Sequence, residues 1–95
     1  MIPAFRLLPE PLTPEAAALP EFKWAGPEVG TRHRLGGEPT GLEQADYPTC
    51  SCGVAMSFYG QLDSINDDFV LADVGVVAVF VCFDCFEANA QVVSG

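Results

Sequence analysis

Beyond Arg34 the chain carries no lysine or arginine. Its four basic residues, Arg6, Lys23, Arg32 and Arg34, stand against thirteen acidic ones, for a net charge of −9. Nucleic acids and anionic membranes are bound through lysine and arginine, so neither is an expected partner. A basic protein partner fits the charge. Proline is missing from the second half, since all eight prolines lie at or before Pro48. Long apolar runs are missing too. The longest, Val74–Phe83, is broken by Gly75 and is too short to span a bilayer. The opening residues, MIPAFRLLPEPLTPE, lack the basic and apolar blocks of a secretory signal. These absences predict a cytoplasmic protein whose thiols stay reduced.

With 95 residues, 49% of them hydrophobic, the chain fits one domain spanning 1–95, with only a modest core. Residues 1–48 read as a proline-rich wrapping segment and 49–95 as a β core, because proline removes the donors a strand ladder needs. In the first part, Thr13 and Pro14 cap and start a short helix that Pro20 ends. Phe22–Gly26 reads as the start of a strand, with Phe22 and Trp24 as core anchors. The glycines and proline of Leu35–Glu43 predict a loop, and Thr40 with Glu43 has capping-box spacing.

In the second part a period of two places Val54, Met56, Phe58 and Leu62 on one face, and Ser57, Tyr59 and Gln61 on the other. Residues 65–69 predict a turn, 69–75 a short strand ending in a turn, and Ala90–Val93 a last short strand. Val76–Phe83 is apolar on both faces and rich in β-branched residues, as in a central strand covered on both sides; a buried helix is the alternative with the same apolar pattern. The expected fold is mainly β, in the α+β sense: an antiparallel sheet of three to five strands with a short N-terminal helix. Pairing the two main strands antiparallel brings their cysteine-bearing ends together.

All four cysteines lie at those ends, as Cys50-x-Cys52 and Cys82-x-x-Cys85. The second gap is the usual one for zinc, which takes soft ligands at tetrahedral corners; the first is one residue shorter. Gly53 after Cys52 suits a knuckle, where backbone N–H groups turn toward sulfur. The expectation is one structural Zn²⁺ per chain, held by Cys50, Cys52, Cys82 and Cys85 in a zinc-ribbon-like clamp. Iron is the other metal that takes thiolates, but the spacing is not that of a cluster. Two plainer uses compete: buried small hydrophobes, and a thiol oxidoreductase pair at Cys82 and Cys85. The charges of Asp84 and Glu87 are expected to raise those thiol pKa values, which argues against the redox use.

The order His33-Arg34-Leu35-Gly36-Gly37-x-Pro39, Cys52-Gly53, Met56-x-Phe58-x-x-Gln61-Leu62-Asp63, Phe80-x-Cys82-x-x-Cys85 resembles the YwqG-like family of bacterial proteins. The cysteine-bearing form is also similar to the conserved regions of the programmed cell death protein 2 family. The resemblance covers residues 32–85. It implies a β-rich fold, a non-catalytic role of an immunity-like or chaperone-like kind, zinc on the four cysteines, and structural turn roles for Gly36, Gly37 and Pro39. In this chain Thr49 stands where the family knuckle has a cysteine.

The remaining candidates read as structural. His33, flanked by arginines, is a solvated surface group rather than a base or ligand. Asp63, Asp67, Asp68 and Asp73 lack the order of a calcium loop and belong to turns and a solvated rim. Gln61 is a buried hydrogen-bonding residue that fixes loop geometry. Three functions are therefore in view: a non-enzymatic protein-interaction module, a thiol oxidoreductase, and a purely structural zinc domain.

Overall fold

The computed structural model of the protein describes residues 1–94. Strands β1 (Phe5–Arg6), β2 (Arg34–Leu35), β3 (Ser57–Asp63), β4 (Val76–Val81) and β5 (Ala88–Val93) form one antiparallel sheet in chain order. One short helix, α1 (Pro14–Ala17), precedes β2. The proline-rich half contributes only the two short strands β1 and β2, and the proline-free half supplies the three long ones. The Thr13 hydroxyl accepts the Ala16 amide at 3.1 Å, and Pro14 opens the helix, as the sequence implies.

Several local expectations are corrected. No strand forms at residues 22–26, because the Lys23 amide donates to the Asp67 carboxylate at 3.1 Å instead of to a ladder. Trp24 is 91% exposed and anchors no core. Residues 69–75 make turns, with Ala72 and Val74 at φ 49° and 48°, which a strand does not allow. The capping box sits one turn later than expected: Asp46 accepts the Glu43 amide at 3.0 Å around a 3-10 turn, Gln44–Asp46.

Strand β3 departs from strict alternation. A bulge between Phe58 and Gly60 puts Phe58, Gln61 and Asp63 opposite Phe80, Ala78 and Val76. Leu62 therefore faces outward, 53% exposed, and Gln61 joins Phe58 on the covered face, which reverses the expected faces of both, while the burial and hydrogen bonding of Gln61 are as expected. Gly60 explains the position: a side chain there would press on the Arg34 carbonyl of β2, at 2.7 Å. Val54, expected inside, is exposed. Strand β4 is buried on one side only. Val76, Ala78 and Phe80 are covered, whereas Val77, Val79 and Val81 are half-buried.

The covered face has two halves. At the cysteine end it is apolar: Met56, Phe58, Ala78 and Phe80 pack with Cys50 and Cys82 beneath Leu42 and Tyr47. The Phe80 ring lies 5.1 Å from that of Tyr47 and 5.7 Å from that of Phe58, both tilted, edge-on geometries that favour attraction. At the other end the face is polar, with Gln61, Asp63, Ser64 and Asn66 all buried. Ser64 donates to the Gly75 carbonyl and accepts the Leu71 amide, and the other three hold the wrapping segment by its backbone. Gln61 accepts the Thr40 amide and donates to the Arg32 carbonyl at 2.8 Å. Asn66 donates to the Pro20 carbonyl. Asp63 accepts the Gly30 and Arg32 amides and the Arg32 guanidinium, at 2.7 to 2.9 Å. Asp63 is thus not part of a solvated rim but the centre of the buried polar half. Among the described residues no buried side-chain polar atom lacks a partner, which such a face requires.

Burial pushes the Asp63 carboxyl up, but the Arg32 guanidinium and the amides of Arg32, Gly30 and Ser64 outweigh it and hold it below the usual carboxylate range. A depressed folded value stabilises the fold fully above the unfolded value of ~3.9 and is lost as pH falls through the folded one. Arg32→Met, which leaves the buried carboxylate unpaired, is expected to cost about 3–5 kcal/mol at neutral pH. Asp63→Asn is expected to lower neutral stability and flatten the acid limb; equilibrium unfolding of both variants from about pH 2 to 7 checks this.

Candidate metal centre

The four cysteines occupy two hairpin tips that share one closing pattern. In the first, the Cys50 amide donates to the Val54 carbonyl at 2.8 Å, and the Gly53 amide returns to the Cys50 carbonyl at 2.9 Å. In the second, the Cys82 amide donates to the Glu87 carbonyl at 2.9 Å, and the Phe86 amide returns to the Cys82 carbonyl at 2.8 Å. The second tip contains one residue more. The short Cys50-x-Cys52 gap is therefore a knuckle with a tighter turn, not a broken one. In both tips the residue after the second cysteine is left-handed: Gly53 at φ 90° and Phe86 at φ 62°. Glycine takes this conformation freely, whereas phenylalanine is strained there.

Antiparallel pairing of β3 and β4 sets the tips side by side, with Ser57 opposite Val81. All four Sγ atoms lie within 4.8 Å of one another. Cys50 and Cys85 are 2.9 Å apart, Cys52 and Cys82 3.7 Å. Four thiolates around a zinc ion at ~2.3 Å would stand about 3.8 Å apart, so the set closes on one ion with small adjustments. The shortest sulfur–sulfur distance is well beyond the ~2.05 Å of a disulfide, and all four cysteines are free. Cys50 and Cys82 are buried in the apolar half of the core, while Cys52 and Cys85 face solvent. The site is thus anchored from below and reachable from outside.

The backbone is arranged for thiolate. The amides of Cys85 and Asp84 both point at the Cys82 sulfur and bring its pKa down to about 7. This corrects the expectation that neighbouring carboxylates raise it. Cys85 is pushed up to about 12, chiefly by sharing a hydrogen bond with the Cys50 sulfur. The Val54 amide pulls Cys52 down, but the Cys50 sulfur and burial outweigh it, leaving Cys52 above its ordinary value. A cation shared by the four sulfurs would displace the protons these thiols hold, because a metal ligates the thiolate.

Glu87 had no signal in the sequence beyond its place after the knuckle. Its carboxylate accepts the Ser51 amide at 3.2 Å and the Ser51 hydroxyl at 2.9 Å. It therefore braces one tip against the other instead of facing the thiols of its own tip, and the two Ser51 bonds lower its pKa.

The other candidate residues lie away from the thiols. Gly36 and Gly37 turn the chain after β2 at φ 63° and 69°, and Gly37 donates to the Ile2 carbonyl at 2.8 Å. Pro39 is buried beside that turn. His33 is half-buried, and its Nδ1 accepts the Asp63 amide at 2.9 Å, so it is a structural acceptor and not a solvated group. Comparison with protein-family models, curated proteins and solved structures finds no match.

The shared turn geometry makes a prediction. Phe86 is 76% exposed, so Phe86→Gly loses little burial and relieves strain of roughly 1–2 kcal/mol, part of it offset by glycine's freedom in the unfolded chain. The variant is expected to melt at or above the parent temperature. Phe86→Val, β-branched at the same angle, is expected to melt clearly below it.

Proposed function

We propose that this chain is a cytoplasmic, zinc-stapled, non-catalytic protein-interaction module with a basic partner. The observation that carries the reading is the convergence of four thiols from two hairpin tips within 4.8 Å. The chemistry of the donor set favours zinc: four soft sulfurs, no carboxylate among them, and backbone N–H groups aimed at sulfur. The ion would be held by Cys50, Cys52, Cys82 and Cys85, and would supply folding energy rather than reactivity, since four protein ligands leave no open position. Structural zinc contributes about 10–16 kcal/mol in small domains, more than a domain of this size has to spare.

The charge supports a basic partner: a net −9, with no lysine or arginine after Arg34. The resemblance to the YwqG-like and programmed cell death protein 2 families supports an immunity-like or chaperone-like role. Against catalysis, Nδ1 of the single histidine is occupied by a backbone amide. No helix among the described residues is long and apolar enough to cross a membrane.

One observation favours a second reading, a thiol oxidoreductase using Cys82 and Cys85: the Cys82 thiol at about 7. It is weakened by the position of Cys82, on a strand end rather than at a helix start, and by the high value of Cys85.

Elemental analysis of protein purified without added metal is expected to give one zinc per chain. Cys82→Ser is expected to lose it, and a chelator to lower the melting temperature of the parent sharply. A metal-free chain that folds equally well with and without chelator would refute the staple. Disulfide exchange with a model substrate, abolished by Cys85→Ser, would favour the second reading.

A further inference from the structure

Strand β5 is a six-residue edge, with no strand beyond it among the described residues. Its sequence, ANAQVV, has no charge, no proline and no glycine. Edge strands are normally blunted by a charge, a proline or a bulge, because their free N–H and C=O groups otherwise template another strand. The β4–β5 register is unbroken from Val76↔Val93 to Val81↔Ala88. The Cys82 amide bonds the Glu87 carbonyl, so alternation turns Glu87, Asn89, Gln91 and Val93 toward β4. The N–H and C=O groups of Ala88, Ala90 and Val92 consequently face outward.

The side chains of these residues lie on the sheet face that the wrapping segment leaves open, alongside half-buried Val77, Val79 and Val81. Val92 is 54% exposed. Acidic residues bracket this apolar strip. Asp84 precedes the strand, and at its far end Val93 packs on Gly75, two residues from Asp73; Glu87 is turned to the covered face and held by Ser51.

We propose that β5 is a strand-addition site for an extended, uncharged segment of a protein partner flanked by basic residues. This rests on the interaction-module reading and assigns it a surface. Backbone bonds to Ala88, Ala90 and Val92 supply register-independent affinity, the apolar strip takes alternate side chains, and the acidic ends select the flanks. A second copy of the chain is the disfavoured occupant. Antiparallel pairing of two β5 edges would set the acidic head of each against the acidic tail of the other, between molecules of net charge −9.

The test uses the zinc-loaded protein and a short valine–threonine peptide flanked by lysine pairs, with a glutamate-flanked peptide as control. Binding of the lysine peptide is expected, weakening as ionic strength is raised to about 0.5 M, with amide shifts concentrated at Ala88, Ala90 and Val92. Ala90→Pro removes an outward N–H and leaves the β4 ladder intact, so it is expected to keep the parent melting temperature and weaken binding by about tenfold or more. Ala90→Lys, which repels the peptide without touching the backbone, is the second variant. Salt-sensitive binding that ignores both substitutions and shifts other amides would overturn the β5 assignment alone. No salt-sensitive binding of either peptide would overturn both the assignment and the basic-partner reading. Concentration-dependent dimerisation of the free protein, abolished by Ala90→Pro, would give the edge to a second copy and overturn the proposal.

Discussion

The meeting of four sulfurs across two hairpin tips is the contact on which the rest of the molecule depends. Strands β3 and β4 already pair along their length, but a chain this small buries too little to make that pairing secure. The tips join the same strands a second time, at the end where Cys50 and Cys82 are part of the apolar core. Loss of that junction would expose the Phe58–Phe80–Tyr47 cluster directly beneath it. The Ser51–Glu87 bonds brace the junction from the solvent side.

The other end of the sheet is held differently. The proline-rich half buries little apolar surface, and its helix α1 buries no residue at all. It is attached through a row of buried side chains from the core half, Gln61, Asp63 and Asn66, that take the backbone groups of residues 20–40. The fold is therefore a sheet with a thiol clamp at one end and a hydrogen-bonded strap at the other. The apolar half is closed by the thiol cluster, and the polar half is sensitive to acid through Asp63. The face and edge left open by this division are the outer side of β4 and β5.

How much of this was legible depended on whether the signal was local. The helix start at Thr13–Pro14, the turn at Gly36–Gly37 and the approach of the two cysteine pairs follow from residue type and strand order, and the structure has them. The sheet is mainly β and antiparallel, as the patterning implies. The errors arise where tertiary contact overrode a local pattern. Gly60 inside an alternating strand is the local sign of the bulge that turns Gln61 inward and Leu62 outward. Asp63 looked like a turn acid because its partner, Arg32, is remote in sequence. Trp24 looked like an anchor because of its size, yet a side-chain acceptor claimed the neighbouring backbone. The shared closing pattern of the two tips, and the role of Phe86 as the counterpart of Gly53, depend on backbone angles that composition does not reveal.

One zinc ion gripped by sulfur alone has a definite signature in X-ray absorption at the zinc edge, on protein purified without added metal: four sulfur neighbours at ~2.3 Å and no oxygen or nitrogen neighbour. A zinc ion with fewer sulfurs and bound water, or a folded protein holding no zinc, would contradict it.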